Sequence, residues 1–211
     1  MPHSKDEDAH GNIGNTFTKL FKNKTYRQGV LAQIFYVGAQ IMCWTYIYQY
    51  AEGIGMDSVT AGYYQMAAFI LFTVGRAFGT YLLRFVNAGK LLMLFALFAI
   101  GCTLGVIVIN NVVGLYCLVG VSFFMSLMFP TIYGIALGKL TEDESKIGSA
   151  GLVMAIVGGA LMPKLQGMII DLGGYAVNDI SILGVSEINF SFLLPILCFA
   201  FIALYGRKNL N

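Results

Sequence analysis

The stretch GVLAQIFYVGAQIMCWTYIYQY, residues 29–50, contains no charged side chain. A helix of about 20 residues crosses the roughly 30 Å hydrocarbon core of a bilayer. Five further apolar stretches follow, at about 60–83, 91–109, 113–137, 147–170 and 189–206. Lipid offers no hydrogen bonds to an open backbone, so segments of this kind are expected to be helices. The chain therefore reads as an all-α, polytopic membrane protein with six spans. Its composition agrees: 57% of its 211 residues are apolar and 11% are charged, against about 25% charged in a soluble domain.

The charges are sorted. An even number of spans puts both ends on one side. That side then holds Lys5, Lys19, Lys22, Lys24, Arg27, Arg84, Lys90, Lys139, Lys146, Arg207 and Lys208, all but two of the 13 basic residues. The opposite loops, about 51–59, 110–112 and 171–188, contain no Lys or Arg. Basic loops stay in the cytoplasm, so both termini are expected there, with the spans in the inner (plasma) membrane.

Residues 1–28 are polar and lack an apolar core, so they read as a cytoplasmic tail rather than a signal peptide or a span. Within it, Thr16–Arg27 interleaves Phe17, Leu20 and Phe21 with lysines. That pattern fits a short amphipathic helix on the membrane surface or a solvated basic linker. Residues 29–206 hold the six spans, and 207–211 form a cytoplasmic C-terminus. In the charged loop Lys139–Lys146, Thr141 and Glu144 have the spacing of a capping box for the fifth span. The longer loop Asp171–Ile188 is expected to cover the outer face.

Cys43, Cys102, Cys117 and Cys198 all fall in apolar segments, where they are expected to be small buried hydrophobes. No Cys-x-x-Cys occurs, and the histidines, His3 and His10, lie in the tail. The sequence thus offers no metal site, no cofactor and no nucleophile–base pair, and a membrane enzyme is disfavoured. Nucleic acid is not an expected partner; the lipid bilayer is. The spans are rich in glycine. Gly75-x-x-x-Gly79, Gly101-x-x-x-Gly105 and Gly134-x-x-x-Gly138 have the spacing of close helix contacts. Pro130 interrupts the fourth span and Pro163, after Gly158-Gly159, the fifth. Such breaks suit helices that bend or line a cavity. Spans one to three and four to six each place an aromatic-rich helix first and a glycine-rich helix second, a faint three-plus-three repeat.

Two cations lie inside spans, Arg76 and Lys164. A charge near the middle of the membrane costs about 2.5–3.5 kcal/mol on insertion scales. It therefore marks a cavity, a gate or a partner, unless the side chain snorkels to the interface. No Asp or Glu lies well inside an apolar segment. On the first span, Gln33, Tyr36, Gln40 and Trp44 recur every three or four residues and share one helix face. Amides bond hydroxyls and aromatic faces cover C–H surface, so the stripe suits a neutral polyol. Helix–helix hydrogen bonding is the alternative. Tyr46, Tyr48 and Tyr50 read as an outer aromatic belt.

These residues carry a resemblance. Ala32-Gln33-Ile34-Phe35-Tyr36-Val37-Gly38-Ala39-Gln40 with Trp44 resembles the seventh span of the fucose–proton symporter family of the major facilitator superfamily. Gly75-Arg76, Gly79-Thr80 and Arg84 resemble its eighth. Met125-Ser126 with Pro130-Thr131-Ile132-Tyr133 resembles its tenth, and Gly148-Ser149 through Gly158-Gly159, Pro163, Gly167 and Asp171 its eleventh. The resemblance covers about residues 27–206. It implies the C-terminal six-helix half-bundle, a 3+3 inverted repeat, of a twelve-helix transporter. The complete protein would carry L-fucose or a related monosaccharide together with a proton. Gln40, Trp44 and Phe129 would line the sugar cavity, and Arg76 would sit in the Gly-Arg motif. Phe129 stands where fucose-type members can have Tyr, and Met128 where Gln can occur. The family's proton-coupling carboxylates lie in an N-terminal six-helix half, so that half is the expected partner, joined through a loop resembling residues 1–28. The alternative is a non-transporting membrane interaction or assembly protein, or a non-functional gene fragment.

Overall fold

A computed structural model of the chain describes residues 18–172, 174 and 181–210. The tail up to Phe17, with both histidines, and part of the Asp171–Ile188 loop lie outside the described residues. Helix α1 is Lys24–Thr45 and is followed by the short α2, Ile47–Gly53. Then come α3 (Ser58–Leu82) and α4 (Ala88–Val108). The fourth apolar segment forms two helices, α5 (Val112–Met125) and α6 (Met128–Leu137). The fifth forms α7 (Glu142–Met154), a 3-10 turn (Ala155–Val157) and α8 (Gly158–Ile170). A two-strand hairpin, β1 (Ser181–Ile182) and β2 (Val185–Ser186), precedes the short α9 (Glu187–Ser191) and α10 (Leu193–Lys208). The hairpin turn places Leu183 and Gly184 at positive φ, the backbone of a type I′ turn.

Polar side chains set the helix starts. Asn23, Asp57, Asn87 and Asn111 each accept hydrogen bonds from the first free amides of α1, α3, α4 and α5. The Thr60 hydroxyl and amide on the Asp57 carboxylate hold that group below the usual carboxylate range. Thr141 and Glu144 form the expected capping box at the start of α7.

Residues 24–53, 88–108, 112–137, 142–170 and 187–208 are long and apolar enough to cross a membrane. The remaining span, α3, has 25 residues, ample length, but Tyr63, Tyr64, Gln65 and Arg76 dilute its apolarity. The protein is a multi-pass membrane protein. Helix α1 is the hub and packs on α5, α6, α7, α8 and α10; α4 packs on α5 and α10, and α3 on α5. The least covered of these five crossings is 142–170. Together with α3, where Val59, Tyr63, Ile70 and Tyr81 are exposed, it presents an unpartnered surface.

The glycine motifs are used unequally. A β-carbon on Gly75 would stand 2.5 Å from the Phe123 carbonyl oxygen and 2.7 Å from Ser126 Oγ, and one on Gly79 would press on Leu127 at 3.0 Å. This motif seats α3 on the junction of α5 and α6. Gly105 fits Cys117 at 3.0 Å, while Gly101 and Gly134 meet nothing beyond their own helices. A β-carbon on Gly158 would collide with the Ile34 carbonyl, so α8 crosses α1 there at backbone contact. Cys43 and Cys198 are buried, Cys102 and Cys117 half-buried, and all four are free thiols.

Two readings are corrected, and a third is narrowed to one of its alternatives. Tyr46 and Tyr50 are interior, not a belt. Their hydroxyls donate to the carbonyls of Pro163 and Ile109, and only Tyr48 of the three is exposed. The interruption of the fifth segment falls at Ala155–Val157, and Pro163 sits inside α8. Around the start of α1, Leu20 is 2% exposed and clusters with Tyr26, Ala136 and Leu152. Lys19 Nζ pairs with Glu144 at 2.6 Å. Residues 18–22 are helical, so of the two readings of Thr16–Arg27 the short helix holds over the described residues and the solvated linker does not, and the helix is fastened to the bundle.

Candidate functional site

The stripe on α1 divides in two. Gly29 abuts Ala136, and seven residues later Tyr36 meets Phe129 edge-on at 6.0 Å. This constant register shows α1 and α6 running antiparallel, with Gln33 opposite Ile132. Gln33 and Tyr36 are fully buried in this seam. Among the described residues, neither amide atom of Gln33 nor the Tyr36 hydroxyl has a hydrogen-bond partner. Buried polar groups of this kind are ordinarily satisfied, because each costs about 1–3 kcal/mol when it is not.

Gln40 and Trp44 are only half-buried. The Trp44 indole Nε1 donates to Ser122 Oγ at 3.2 Å. Its rings meet Phe69 at 4.9 Å and Phe72 at 5.1 Å, both edge-on. Trp44 is thereby held between α3 and α5 with part of its surface open. Phe129 is also half-buried and stacks on Tyr133 at 6.4 Å. Aromatic faces fixed by edge contacts, beside the amide of Gln40, are what a sugar ring needs for C–H and hydroxyl contacts.

Arg76 is exposed on α3. Its guanidinium carbon lies 4.9 Å from the centre of the Phe72 ring, and its Nε donates to the Ser126 carbonyl at 3.3 Å. Phe72 thus touches both Trp44 and Arg76, so the cation is coupled to the aromatic wall through one ring. Lys164 is exposed on α8, and no carboxylate pairs with it among the described residues. Both intramembrane cations are therefore exposed rather than enclosed in the bundle.

Several polar residues gave no signal in the sequence, Ser126 of the Met125-Ser126 motif excepted. Ser122 and Ser126 are fully buried and hold Trp44 and the α3 contact. Glu187, in the loop by sequence, is fully buried as the first residue of α9. Around it, Gln166 Nε2 donates to Ser191 Oγ at 2.9 Å, and Asn189 Nδ2 donates to the Val106 carbonyl at 2.8 Å. No spacing rule marks such residues, because their partners lie on other elements: Trp44 for Ser122, Gln166 for Ser191 and Val106 for Asn189. Among the described residues no cluster of His, Cys, Asp or Glu has the makings of a metal site.

This geometry has close counterparts. The L-fucose-proton symporter of Haemophilus influenzae is 51% identical over 99% of this chain, and that of Escherichia coli 34% over 93%. The chain is a homologue of the L-fucose–proton symporters. A glucose/galactose transporter of Brucella abortus is 31% identical over 86% of the chain. The crystal structure of FucP, a major facilitator superfamily transporter in the outward conformation, superposes with a TM-score of 0.81 at 34% identity. It covers 92% of this chain. The fold is a half-bundle of the major facilitator kind. No protein-family model matches the chain. The chain spans about half the length of the relatives it matches: 47% and 42% of the two L-fucose-proton symporters and 44% of FucP. These relatives are transporters, not enzymes.

Proposed function

We propose that this chain forms the C-terminal half of a proton-coupled sugar symporter carrying L-fucose or a related monosaccharide. The observation that carries this reading is the agreement in sequence and fold with FucP over nearly the whole chain. In this reading, residues 29–206 are one rocking body and one wall of the sugar cavity. Residues 1–28 form the loop from an N-terminal six-helix half, and 207–211 the C-terminus. The charge sorting supports both termini in the cytoplasm and the bundle in the inner membrane.

Gln40, Trp44 and Phe129 face the sugar, with Gln33 and Tyr36 behind them. Their unpaired polar atoms are available to waters or to sugar hydroxyls once the halves rock. Arg76 gates beside the aromatic wall, and Lys164, exposed on α8, lines the cavity. The proton step belongs to the partner half, since the middle of the apolar spans carries no carboxylate.

The test is uptake of labelled L-fucose into proteoliposomes under an inward proton gradient. The chain alone is expected to give none, and the chain with an N-terminal half to give uptake that a protonophore abolishes. Uptake by the chain alone would overturn the half-transporter reading. No uptake with both halves present in the membrane would overturn sugar symport.

A further inference from the structure

Away from the aromatic wall, α4 and α10 pack closely along their length. They touch backbone to backbone at one end: a β-carbon on Gly206 would stand 2.8 Å from both the Gly89 carbonyl oxygen and the Met93 amide nitrogen. Beside this contact lies a groove of about 360 Å³, walled by Met93, Leu97 and Ile100 from α4 and by Ala200, Leu204 and Arg207 from α10. Leu97 is 51% and Leu204 55% exposed, so the groove opens sideways rather than into the bundle. Its lining is apolar except for Arg207, which directly follows the Gly206 contact.

Among the described residues, the charged groups that α4 and α10 themselves place at that end are all positive, the acidic Glu142, Asp143 and Glu144 belonging to the start of α7. Arg207 and Lys208 form the last turn of α10, and Lys90 lies in the first turn of α4. Lys139 lines a neighbouring notch with Asn87, Gly89 and Asn209. No Asp or Glu lines either hollow. An apolar trough open to the side, closed at the water end by a cation, matches the shape of one lipid. The chain lies along leucines and the phosphate meets guanidinium. Basic pockets between transmembrane helices favour anionic headgroups. A zwitterionic headgroup brings its own cation into this positive cluster and gains less. A sugar finds almost no polar partner there.

We propose that the α4–α10 groove binds one anionic phospholipid, with an acyl chain against Leu97 and Leu204 and the phosphate on Arg207. None of the residues assigned to the sugar touches this groove, so the inference stands apart from the transport reading.

The full chain, purified in mild detergent, is titrated with dioleoyl phosphatidylglycerol or dioleoyl phosphatidylcholine and read by native mass spectrometry and thermal unfolding. One phosphatidylglycerol is expected to be retained, about fivefold more tightly than phosphatidylcholine, corresponding to about 1 kcal/mol for one cation near the surface. Arg207→Gln should reduce phosphatidylglycerol to the phosphatidylcholine level. Lys22→Gln, a basic residue outside the groove, should leave the preference intact. Ala200→Phe fills the trough and should abolish retention of both lipids, with helicity by circular dichroism as the folding check. An unchanged preference in Arg207→Gln, or none in the parent chain, overturns the proposal. So does displacement of the lipid by millimolar inorganic phosphate, which would make this a free-anion site. A dimer that Ala200→Phe dissociates and lipid does not would assign the face to a second copy and overturn it as well.

Discussion

Arg76 Nε donates to the Ser126 carbonyl, the carbonyl that Pro130, four residues on and lacking an N–H, leaves without its helical donor. Two features that stand apart in the sequence, an intramembrane arginine and a proline, satisfy one another across α3 and α6. The arginine is anchored without a carboxylate, and the bend at Ser126–Leu127 keeps no bare oxygen. Arg76→Ala is therefore expected to lower L-fucose uptake by the assembled transporter at least tenfold, with the amount of protein in the membrane unchanged. Arg76→Lys should recover little, because an ammonium lacks the planar fork that reaches the carbonyl while lying over Phe72. Uptake within twofold of the parent for both variants would remove Arg76 from the gate.

Close helix approach predicts opposite outcomes for two glycines of identical spacing pattern. Gly75→Ala drives a methyl group into the Phe123 carbonyl and Ser126 Oγ and should destabilise the bundle by about 1–3 kcal/mol. Gly101→Ala meets open space and should be neutral or stabilising by up to about 1 kcal/mol. Unfolding in mixed detergent, followed by circular dichroism, compares them. Equal effects would mean that α3 does not seat on the α5–α6 junction as described.

Gln33 separates structural from functional polarity. Its amide is buried and unpaired, so Gln33→Leu removes a desolvation penalty and should raise stability by about 1 kcal/mol. The same change should reduce uptake, since the stripe then loses hydrogen-bonding capacity. A stability loss would show that Gln33 has a partner in the folded protein, such as an ordered water.

The Tyr26 hydroxyl donates to the Gly148 carbonyl at 2.9 Å in the buried cluster that joins α1 to α7. Tyr26→Phe should cost about 1–2 kcal/mol, because it leaves that carbonyl unpaired. Leu20→Ala, which hollows the same cluster, should cost about 2–5 kcal/mol. An effect at Tyr26 with none at Leu20 would show that residues 19–20 do not stay docked.

Segment length, charge sorting and the Thr141–Glu144 spacing made the membrane fold and one helix start legible in the sequence. The motif around Gln33–Gln40 and Gly75-Arg76 made the relationship legible too. What stayed hidden was always a matter of neighbours. A stripe on a helix is a set of directions, and it does not say that α6 covers Gln33 and Tyr36 while Gln40 and Trp44 remain partly open. Tyr46 and Tyr50 looked like belt residues because the turn from α1 into α2 after Thr45, which points them inward, leaves no proline or glycine to mark it. Gly101 and Gly134 had the spacing of contact motifs, but no helix arrives at either. Buried Glu187 was invisible because the loop sequence does not show that α9 packs on α8, where Gln166 donates to Ser191.

The 3-10 turn at Ala155–Val157 has a further consequence. Three residues at 3.0 per turn advance about 360°, whereas the same three in an α-helix advance about 300°. The helical wheel is therefore rotated by about 60° between α7 and α8. A single projection drawn through residues 142–170 places Lys164 and Gln166 a sixth of a turn away from where they stand relative to Gly148 and Leu152. Each half of this crossing carries its own angular origin. A labelling or crosslinking scan along it should show two periodic patterns, out of phase, with the discontinuity at residue 156.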